Sequence, residues 1–318
     1  MDHRKIDRMM PSTVARRVIF FLLRLTGIPL LLRQTVQRHR VTILCYHEPC
    51  PRDFVRHLEI LTRKYHIIPL RRYLEWRTDP SVRLPTKSLV ITFDDGHRSN
   101  YQLKDILLKY KVPATIFLCS AIVGTNRHFW WNSVSPSEVE KLKRVGDAER
   151  RTLLNVRGLD ETREHADRQA LSREEITELR GILDLQSHTR FHPILPCCDN
   201  GRALDEIAQS RHELQARFGL LTSAFAYPNG DYSERDVAFV RQAGYRCALT
   251  IDGGYNGRTT DIYRLRRVRM SDTARTSELI VKASGLWGIW ERLVRRDRDK
   301  NVSTVTGATP PGSVNASA

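Results

Sequence analysis

Strand-like apolar runs alternate with amphipathic helical segments along most of the chain, and this alternation restricts the fold more than any other feature. The run "VTILCY" at residues 41–46 is followed by the helix-like "DFVRHLEILTRKY", and "SLVITF" at 88–93 leads through "LKDILLKY" to "ATIFLC" at 114–119. The later runs are "ILDLQ", "SAFAYP", "RCALTI" and "YRLRRVRM", the first three again separated by helical patterns. Strands joined through helices lie parallel in one sheet, so the sequence predicts an α/β fold with a parallel sheet or barrel.

The alternation also divides the chain into segments. Residues 41–275 form the predicted main domain, and within them the charged stretch at about 125–180 breaks the rhythm and indicates a largely helical insertion. Residues 276–300 are predicted to form a basic C-terminal helix, and the small, polar residues 301–318 are predicted to be disordered. With 318 residues, 41% of them hydrophobic, the chain is long enough to bury a full core.

Charge and cysteine content limit the partners and the compartment. Lys and Arg outnumber Asp and Glu by 52 to 36, a net charge of +16 that favours anionic partners. The basic residues are scattered and no zinc-finger or RNA-binding motif accompanies them, so we expect no nucleic-acid partner. The six cysteines form no C-x-x-C pair and no framework spacing, which predicts a reducing compartment and therefore a cytoplasmic protein.

The first 40 residues form a basic and apolar segment, with "VARRVIFFLLRLTGIPLLLRQTVQRHR" as its central part. An arginine, a glycine and a proline interrupt it, and no small-residue cleavage site follows, so it fits neither a transmembrane span nor a cleavable signal. One alternative is an interfacial helix in peripheral contact with anionic lipid on the cytoplasmic face of the inner membrane, and the other is a helix packed on the domain itself. The residues expected at the membrane are Arg16, Arg17 and Arg24 near the headgroups and Phe20, Phe21 and Leu25 in the apolar layer.

Acidic and imidazole side chains follow two of the predicted strands. Asp94 and Asp95 come directly after "SLVITF", and His188 and His192 follow "ILDLQ" four residues apart. One carboxylate and two imidazoles form a three-ligand set of the kind used in catalytic zinc sites, which keep a position open for water. The second carboxylate is then free to accept a proton from that water. Such a set also suits a non-haem iron oxygenase, although those ligands usually come from an all-β barrel.

The strings "TFDDG" and "HTRFH" resemble the first two motifs of the polysaccharide deacetylases, carbohydrate esterase family 4. The resemblance extends over about residues 41–270 and includes "KVPATIFL" and "FAYPNGDY". It implies a distorted (β/α) barrel of about seven strands with a mostly helical insertion. It also implies that Asp94 is the general base and that Asp95, His188 and His192 bind a divalent metal, zinc first, with nickel or cobalt as alternatives.

The chain departs from the family pattern at two catalytic positions. The third motif usually has an arginine where this chain has Ala226, and the late motif that supplies the general acid is absent, since no histidine follows His212. The string "ILCYHEP" resembles an early element of members with a circularly permuted motif order, the poly-N-acetylglucosamine deacetylases among them, and implies that His47 is the general acid. Of the arginines in "YRLRRVRM", we favour Arg267 over Arg264 as the group that orients the base.

Together these residues predict a metal-dependent hydrolase that removes N-acetyl groups from an amino-sugar polysaccharide, an oligosaccharide or a lipid-linked glycan. The metal and the backbone N–H of Tyr227 would hold the tetrahedral oxyanion, and His47 would protonate the departing amine. An alternative within the same fold is a carbohydrate-binding protein with weak or no catalysis, because the third-motif arginine is missing. Trp130 and Trp131 in "HFWWN" could stack on sugar rings or pack inside the insertion.

Overall fold

The computed structural model describes residues 13–291, and the predicted tail at 301–318 lies outside them. The helices are α1 (Thr13–Leu25), α2 (Ile28–Gln34), α3 (Pro51–Lys64), α4 (Leu70–Thr78), α5 (Lys104–Tyr110), α6 (Pro136–Leu142), α7 (Asp147–Asn155), α8 (Arg173–Leu179), α9 (Asn200–Phe218), α10 (Glu234–Gln242) and α11 (Thr276–Ala283). The strands are β1 (Thr42–Tyr46), β2 (His66–Ile67), β3 (Ser88–Phe93), β4 (Thr115–Leu118), β5 (Asp184–Ser187), β6 (Ala224–Ala226), β7 (Cys247–Leu249) and β8 (Val268–Arg269). The predicted C-terminal helix corresponds to α11 and a further helical stretch at 286–291, and its remainder lies outside the described residues.

These strands form one parallel sheet. Its order is β7–β6–β5–β4–β3–β1–β8, and the short β2 pairs with β3 outside this path. The segment that carries β8 connects the two ends of the sheet, because Leu265 forms a parallel bridge with Leu249 of β7 and Val268 pairs with Leu44 of β1. The sheet is therefore curled into a distorted barrel of seven strands with β2 at its side, which confirms the α/β fold expected from the sequence.

Side chains of the strands alternate between the barrel interior and the surrounding helices. Leu44 and Phe93 point outward and pack in the cluster formed with the helices, whereas Ile43 and Val90 belong to the inner cluster. Three neighbouring segments direct alternate side chains into the barrel, and the last of these side chains lies at the rim, where the strands end. In order toward the rim, they are Ile43, Cys45 and His47 for β1, Val90, Thr92 and Asp94 for β3, and Leu265, Arg267 and Arg269 for the segment that carries β8. Because parallel strands end at the same rim, polar side chains from distant parts of the chain meet there.

The N-terminal helices and the insertion flank this barrel. Helices α6 to α8 lie between β4 and β5, where the sequence indicated an insertion. Phe20 of α1 packs on Trp287 with ring centroids 4.8 Å apart, and Arg16 pairs with Glu278 at 2.6 Å. Both side chains therefore face the protein and their predicted membrane positions are wrong, whereas Phe21 is exposed. In the described part of the chain, no helix is both long and apolar enough to cross a bilayer.

Candidate active site

Asp94 is held by a buried arginine from the last strand segment. The two side chains form a bidentate ion pair, with Arg267 Nη1 2.6 Å from Oδ1 and Nη2 2.8 Å from Oδ2, and Nε of Arg267 donates to the Thr250 carbonyl at 2.9 Å. Burial by itself raises the pKa of Asp94, but Arg267 together with His188 and His47 outweighs it and the pKa falls to about 2. The carboxylate is therefore charged and oriented at neutral pH. Arg264, the alternative arginine, forms ion pairs elsewhere.

Asp95, His188 and His192 converge in a buried cluster at the same rim. The Nε2 atoms of both histidines lie 3.4 Å from Oδ1 of Asp95, and one candidate ligand atom from each residue lies within 4.8 Å of the others. Asp95 Oδ1 is buried and has no hydrogen-bond partner within residues 13–291. A buried carboxylate oxygen without a donor is costly, and a cation between it and the two imidazoles would satisfy it. The donor set therefore fits a divalent metal such as Zn²⁺.

The backbone and the ring orientations at this cluster are fixed by neighbouring groups. Asp95 and His192 have positive φ angles of 74° and 57°, a left-handed conformation that non-glycine residues rarely adopt and that concentrates at functional sites. His188 Nδ1 lies 2.7 Å from the Ala226 carbonyl, an acceptor that keeps the proton on Nδ1 and leaves Nε2 free for a metal. Burial lowers the pKa of His192 to about 3, so its imidazole is neutral, as metal binding requires.

Glu206 of α9 supports the loop between the two histidines. Its Oε2 accepts hydrogen bonds from the backbone N–H groups of Arg190 and Phe191, at 2.8 and 2.9 Å, and its Oε1 lies 2.9 Å from Nη2 of Arg202. Burial raises the pKa of Glu206 to about 7, against the opposing effect of Arg202. The sequence prediction missed Glu206, because nothing in the helical pattern separates it from a solvated glutamate.

His47 lies beside Asp94, just after the end of β1. A ring nitrogen of His47, a carboxylate oxygen of Asp94 and Sγ of Cys45 all lie within 4.8 Å of one another. The backbone N–H of His47 donates to Asp272 at 3.2 Å, and its carbonyl accepts from Asn100 at 2.7 Å. Burial lowers the pKa of His47. Its role as an acid stays a prediction, and its position next to Asp94 is the one that this role needs.

A cavity of about 420 Å³ opens onto the cluster. Its lining includes Asp94, Asp95, His188, His192, His47, Trp131, Asn229 and Arg269. The ring of Trp131 lies 4.4 Å from that of His192. Trp130 also lines the cavity but is buried, and its Nε1 donates to the His192 carbonyl at 3.1 Å. Trp130 therefore supports the loop that carries His192, while the half-buried Trp131 is placed to contact a ligand.

The predicted oxyanion donor, the backbone N–H of Tyr227, does not fit the structure. It donates to the Leu249 carbonyl at 3.0 Å in the pairing of β6 with β7, and the Tyr227 hydroxyl donates to the Tyr263 carbonyl. The prediction is therefore wrong, because the group is already used by the sheet. Asn229 lines the cavity instead, with a φ of 54° and a buried Nδ2 that lacks a hydrogen-bond partner among the described residues. Its signal in the sequence was the "PNG" turn after a strand.

His97 is another residue that the sequence prediction left without a role. It is buried, and its Nε2 lies 3.3 Å from Oδ2 of Asp95 and 3.5 Å from Glu48. Its ring contacts Phe129 at a centroid distance of 4.4 Å. His97 thus contacts the carboxylate oxygen that the two ligand histidines do not, and it orients Asp95. Its place directly after "DDG" was the available signal.

A parallel barrel with a buried, ion-paired carboxylate beside an Asp-His-His cluster is typical of metal-dependent hydrolases. The family model described as polysaccharide deacetylase matches residues 81–248, just over half of the chain, and the chain belongs to that family. The match confirms the family resemblance found in the sequence. In the sequence, His47 comes before the matched segment and Arg267 comes after it, and the curled sheet brings both to Asp94.

Individual relatives agree with this family assignment. YxkH of Bacillus subtilis, which carries the polysaccharide deacetylase name, is 26% identical over 186 residues, 58% of this chain and 52% of its own length. The poly-beta-1,6-N-acetyl-D-glucosamine N-deacetylase of Staphylococcus epidermidis is 25% identical over 201 residues, 60% of this chain and 57% of its own length. The chain thus spans little more than half the length of the curated relatives it matches.

Solved structures show the same fold. IcaB from Ammonifex degensii superposes with a TM-score of 0.58 at 21% identity, covering 78% of this chain and 98% of that chain. The Streptococcus pyogenes deacetylase PplD in complex with acetate gives a TM-score of 0.57 at 17% identity, covering 77% and 98%. At these identities the likeness supports the barrel architecture described above.

Proposed function

We propose that this protein is a metal-dependent hydrolase that removes N-acetyl groups from an amino-sugar polysaccharide, an oligosaccharide or a lipid-linked glycan. The observation that carries the proposal is the buried ion pair of Asp94 and Arg267 directly beside Asp95, His188 and His192. Burying charged groups costs desolvation energy, and a carboxylate kept ionised directly beside a metal-binding cluster is placed to act as a general base. The name of the Staphylococcus epidermidis relative supports poly-N-acetylglucosamine as the first substrate to test.

Asp95, His188 and His192 would hold the divalent cation, with zinc, nickel and cobalt as the candidates. A cation bound there would polarise the amide carbonyl and lower the pKa of a water molecule. Asp94 is placed to accept a proton from the attacking water, and Arg267 keeps Asp94 ionised and oriented for that role. Two adjacent carboxylates thus have separate roles, because one faces the arginine and the other faces the imidazoles.

His47 completes the proposed reaction. The proton that Asp94 takes from the water passes to His47, whose ring nitrogen lies within 4.8 Å of an Asp94 carboxylate oxygen. His47 delivers this proton to the amine nitrogen as the C–N bond of the tetrahedral intermediate breaks. Acetic acid leaves and ionises to acetate in water, and both residues are back in their starting states. Asn229 lines the same cavity and replaces Tyr227 as the candidate donor to the oxyanion.

One observation favours a lipid-linked form of the substrate. A second cavity, of about 290 Å³, shares His47, Asp95 and Trp131 with the first and is bordered by Arg16 of α1. Helix α1 also carries several exposed apolar side chains. A saccharide entering along this cavity would keep a lipid anchor close to α1.

The test is acetate release, with the mass loss of one acetyl group per event, from a panel of N-acetylated polysaccharides, oligosaccharides and lipid-linked sugars. The full chain is loaded with zinc, nickel or cobalt. The control is Asp94→Asn, which keeps the side-chain shape and removes the proton acceptor, so metal should stay bound while release stops. Saccharide binding without acetate release by the metal-loaded protein would favour the inactive binder. Turnover that requires dioxygen and a 2-oxoacid would favour the oxygenase.

A further inference from the structure

Helix α1 has two faces in different environments. On the inner face, Phe20 packs against Trp287 and Val281. The outer face carries apolar side chains with the i, i+4, i+7, i+8 spacing of one helical stripe, and these are between 50 and 65% exposed. They are Val14, Val18, Phe21, Leu22 and Leu25. Only one of the two apolar faces of α1 therefore packs against the protein core.

Helix α2, which begins shortly after α1 ends, also exposes apolar side chains. Ile28, Leu30 and Leu31 are between 41 and 60% exposed. We call these three residues and the five on α1 the outer apolar stripe. Of the fourteen large hydrophobic residues exposed in the described chain, eight belong to this stripe, so the exposure is concentrated rather than scattered. Single exposed apolar residues are ordinary, whereas a contiguous patch marks an interaction surface.

Charge indicates what covers the stripe. Residues 13–47 contain six arginines and no aspartate or glutamate. Arg17 and Arg24 are exposed on α1 itself, next to the stripe. A second copy of the chain would bring two basic surfaces together, and like charges repel. A partner that is negative at its surface and apolar beneath it fits both features, and an anionic lipid bilayer has that chemistry.

We infer that the outer apolar stripe docks α1 and α2 on the surface of an anionic membrane, with the stripe in the acyl boundary and the arginines at the headgroups. The inference goes beyond the proposed hydrolase activity and does not depend on it. The attraction of the basic residues to an anionic surface is electrostatic and is therefore lost at high salt. Docking is therefore peripheral and reversible.

Vesicle sedimentation of the full chain tests this inference, with phosphatidylcholine vesicles against vesicles that also contain phosphatidylglycerol. The wild type should sediment with the anionic vesicles at low salt. It should remain in the supernatant with the neutral vesicles, and also at about 1 M salt, where the Debye length is about 3 Å. A wild type that stays in the supernatant under all conditions overturns the inference.

A matched pair of double variants separates the stripe from general charge attraction. Phe21→Glu with Leu25→Glu introduces two negative charges in the stripe, and Leu108→Glu with Leu221→Glu introduces the same two charges at exposed apolar positions elsewhere. The stripe variant should lose at least about 10-fold in vesicle partitioning, since two apolar side chains can no longer be buried in the acyl boundary. The control variant should keep its partitioning. Equal losses in both variants overturn the inference, as does a wild-type dimer that the stripe variant alone abolishes without vesicles.

Discussion

Replacing Arg267 by methionine tests the buried ion pair on which the proposed mechanism depends. The change removes two hydrogen bonds to Asp94, one to the Thr250 carbonyl and one to the Thr92 hydroxyl, at a place where both charged side chains are buried. Removing one partner of a buried ion pair costs about 3–5 kcal/mol, because the other charge stays buried without a counter-ion. We expect the free energy of unfolding to fall by about that amount. Acetate release should fall at least about 10²-fold, since Asp94 is no longer held as a base.

The assay is urea unfolding, with metal content and acetate release measured on the same samples. Arg264→Met is the matched control, because Arg264 is 26% exposed and its ion pairs are of the surface type, worth about 0–1 kcal/mol. Combining Arg267→Met with Asp94→Asn should cost less than the sum of the two, because the uncompensated charge is gone. If Arg267→Met unfolds at the wild-type urea concentration and keeps its turnover, the reasoning about this ion pair is refuted.

Three further predictions concern the acid and the loop support. His47→Asn should reduce N-acetyl amide hydrolysis by about 10²-fold or more. Hydrolysis of aryl acetate esters should be largely unaffected, because their leaving groups need little protonation. Equal losses on both substrates would indicate damage to the fold or the metal site. Glu206→Ala leaves the backbone N–H groups of Arg190 and Phe191 without their acceptor. Metal affinity, measured by chelator competition, should therefore fall about 10–100-fold. Unchanged affinity would show that Glu206 does not support the metal-binding loop. Because burial raises the pKa of Glu206 from an ordinary 4.5 to about 7, the folded chain binds this proton more tightly than the unfolded chain. Ionisation of Glu206 should therefore lower the free energy of unfolding by about 3 kcal/mol as the pH rises from about 4.5 to about 7. Glu206→Gln should flatten this slope, and identical pH profiles for the two proteins would contradict it.

The parallel α/β architecture and the meeting of the polar residues at one edge of it could be predicted from local patterns in the sequence, whereas the barrel of about seven strands came from the family resemblance. Period-two alternation fixes which side chains of a strand point inward, and parallel strands present their ends at one rim. His47 and Arg267 lie far apart in the chain, yet each is at or beside a strand that pairs with a neighbour of known direction. Their approach to Asp94 therefore needed only the strand order.

The errors arose where the outcome depends on contacts between distant segments. The Tyr227 N–H looked free in the sequence, but the register between β6 and β7 assigns it to the Leu249 carbonyl. Phe20 and Phe21 are neighbours with the same chemistry, and packing against Trp287 and Val281 decides which of them faces the core. Glu206 could not be found, since its partners are backbone N–H groups that no side-chain pattern reveals.

The most direct test of the central claim is acetate release measured against bound metal. Metal-free protein is titrated with zinc, and both the bound zinc and the acetate formed from an N-acetylated saccharide are measured at each step. We expect release to rise in proportion to bound zinc and to level at one equivalent, and we expect Asp94→Asn to bind the same equivalent without releasing acetate. Full activity in the metal-free protein, or near-normal turnover by Asp94→Asn with its zinc bound, would contradict the account.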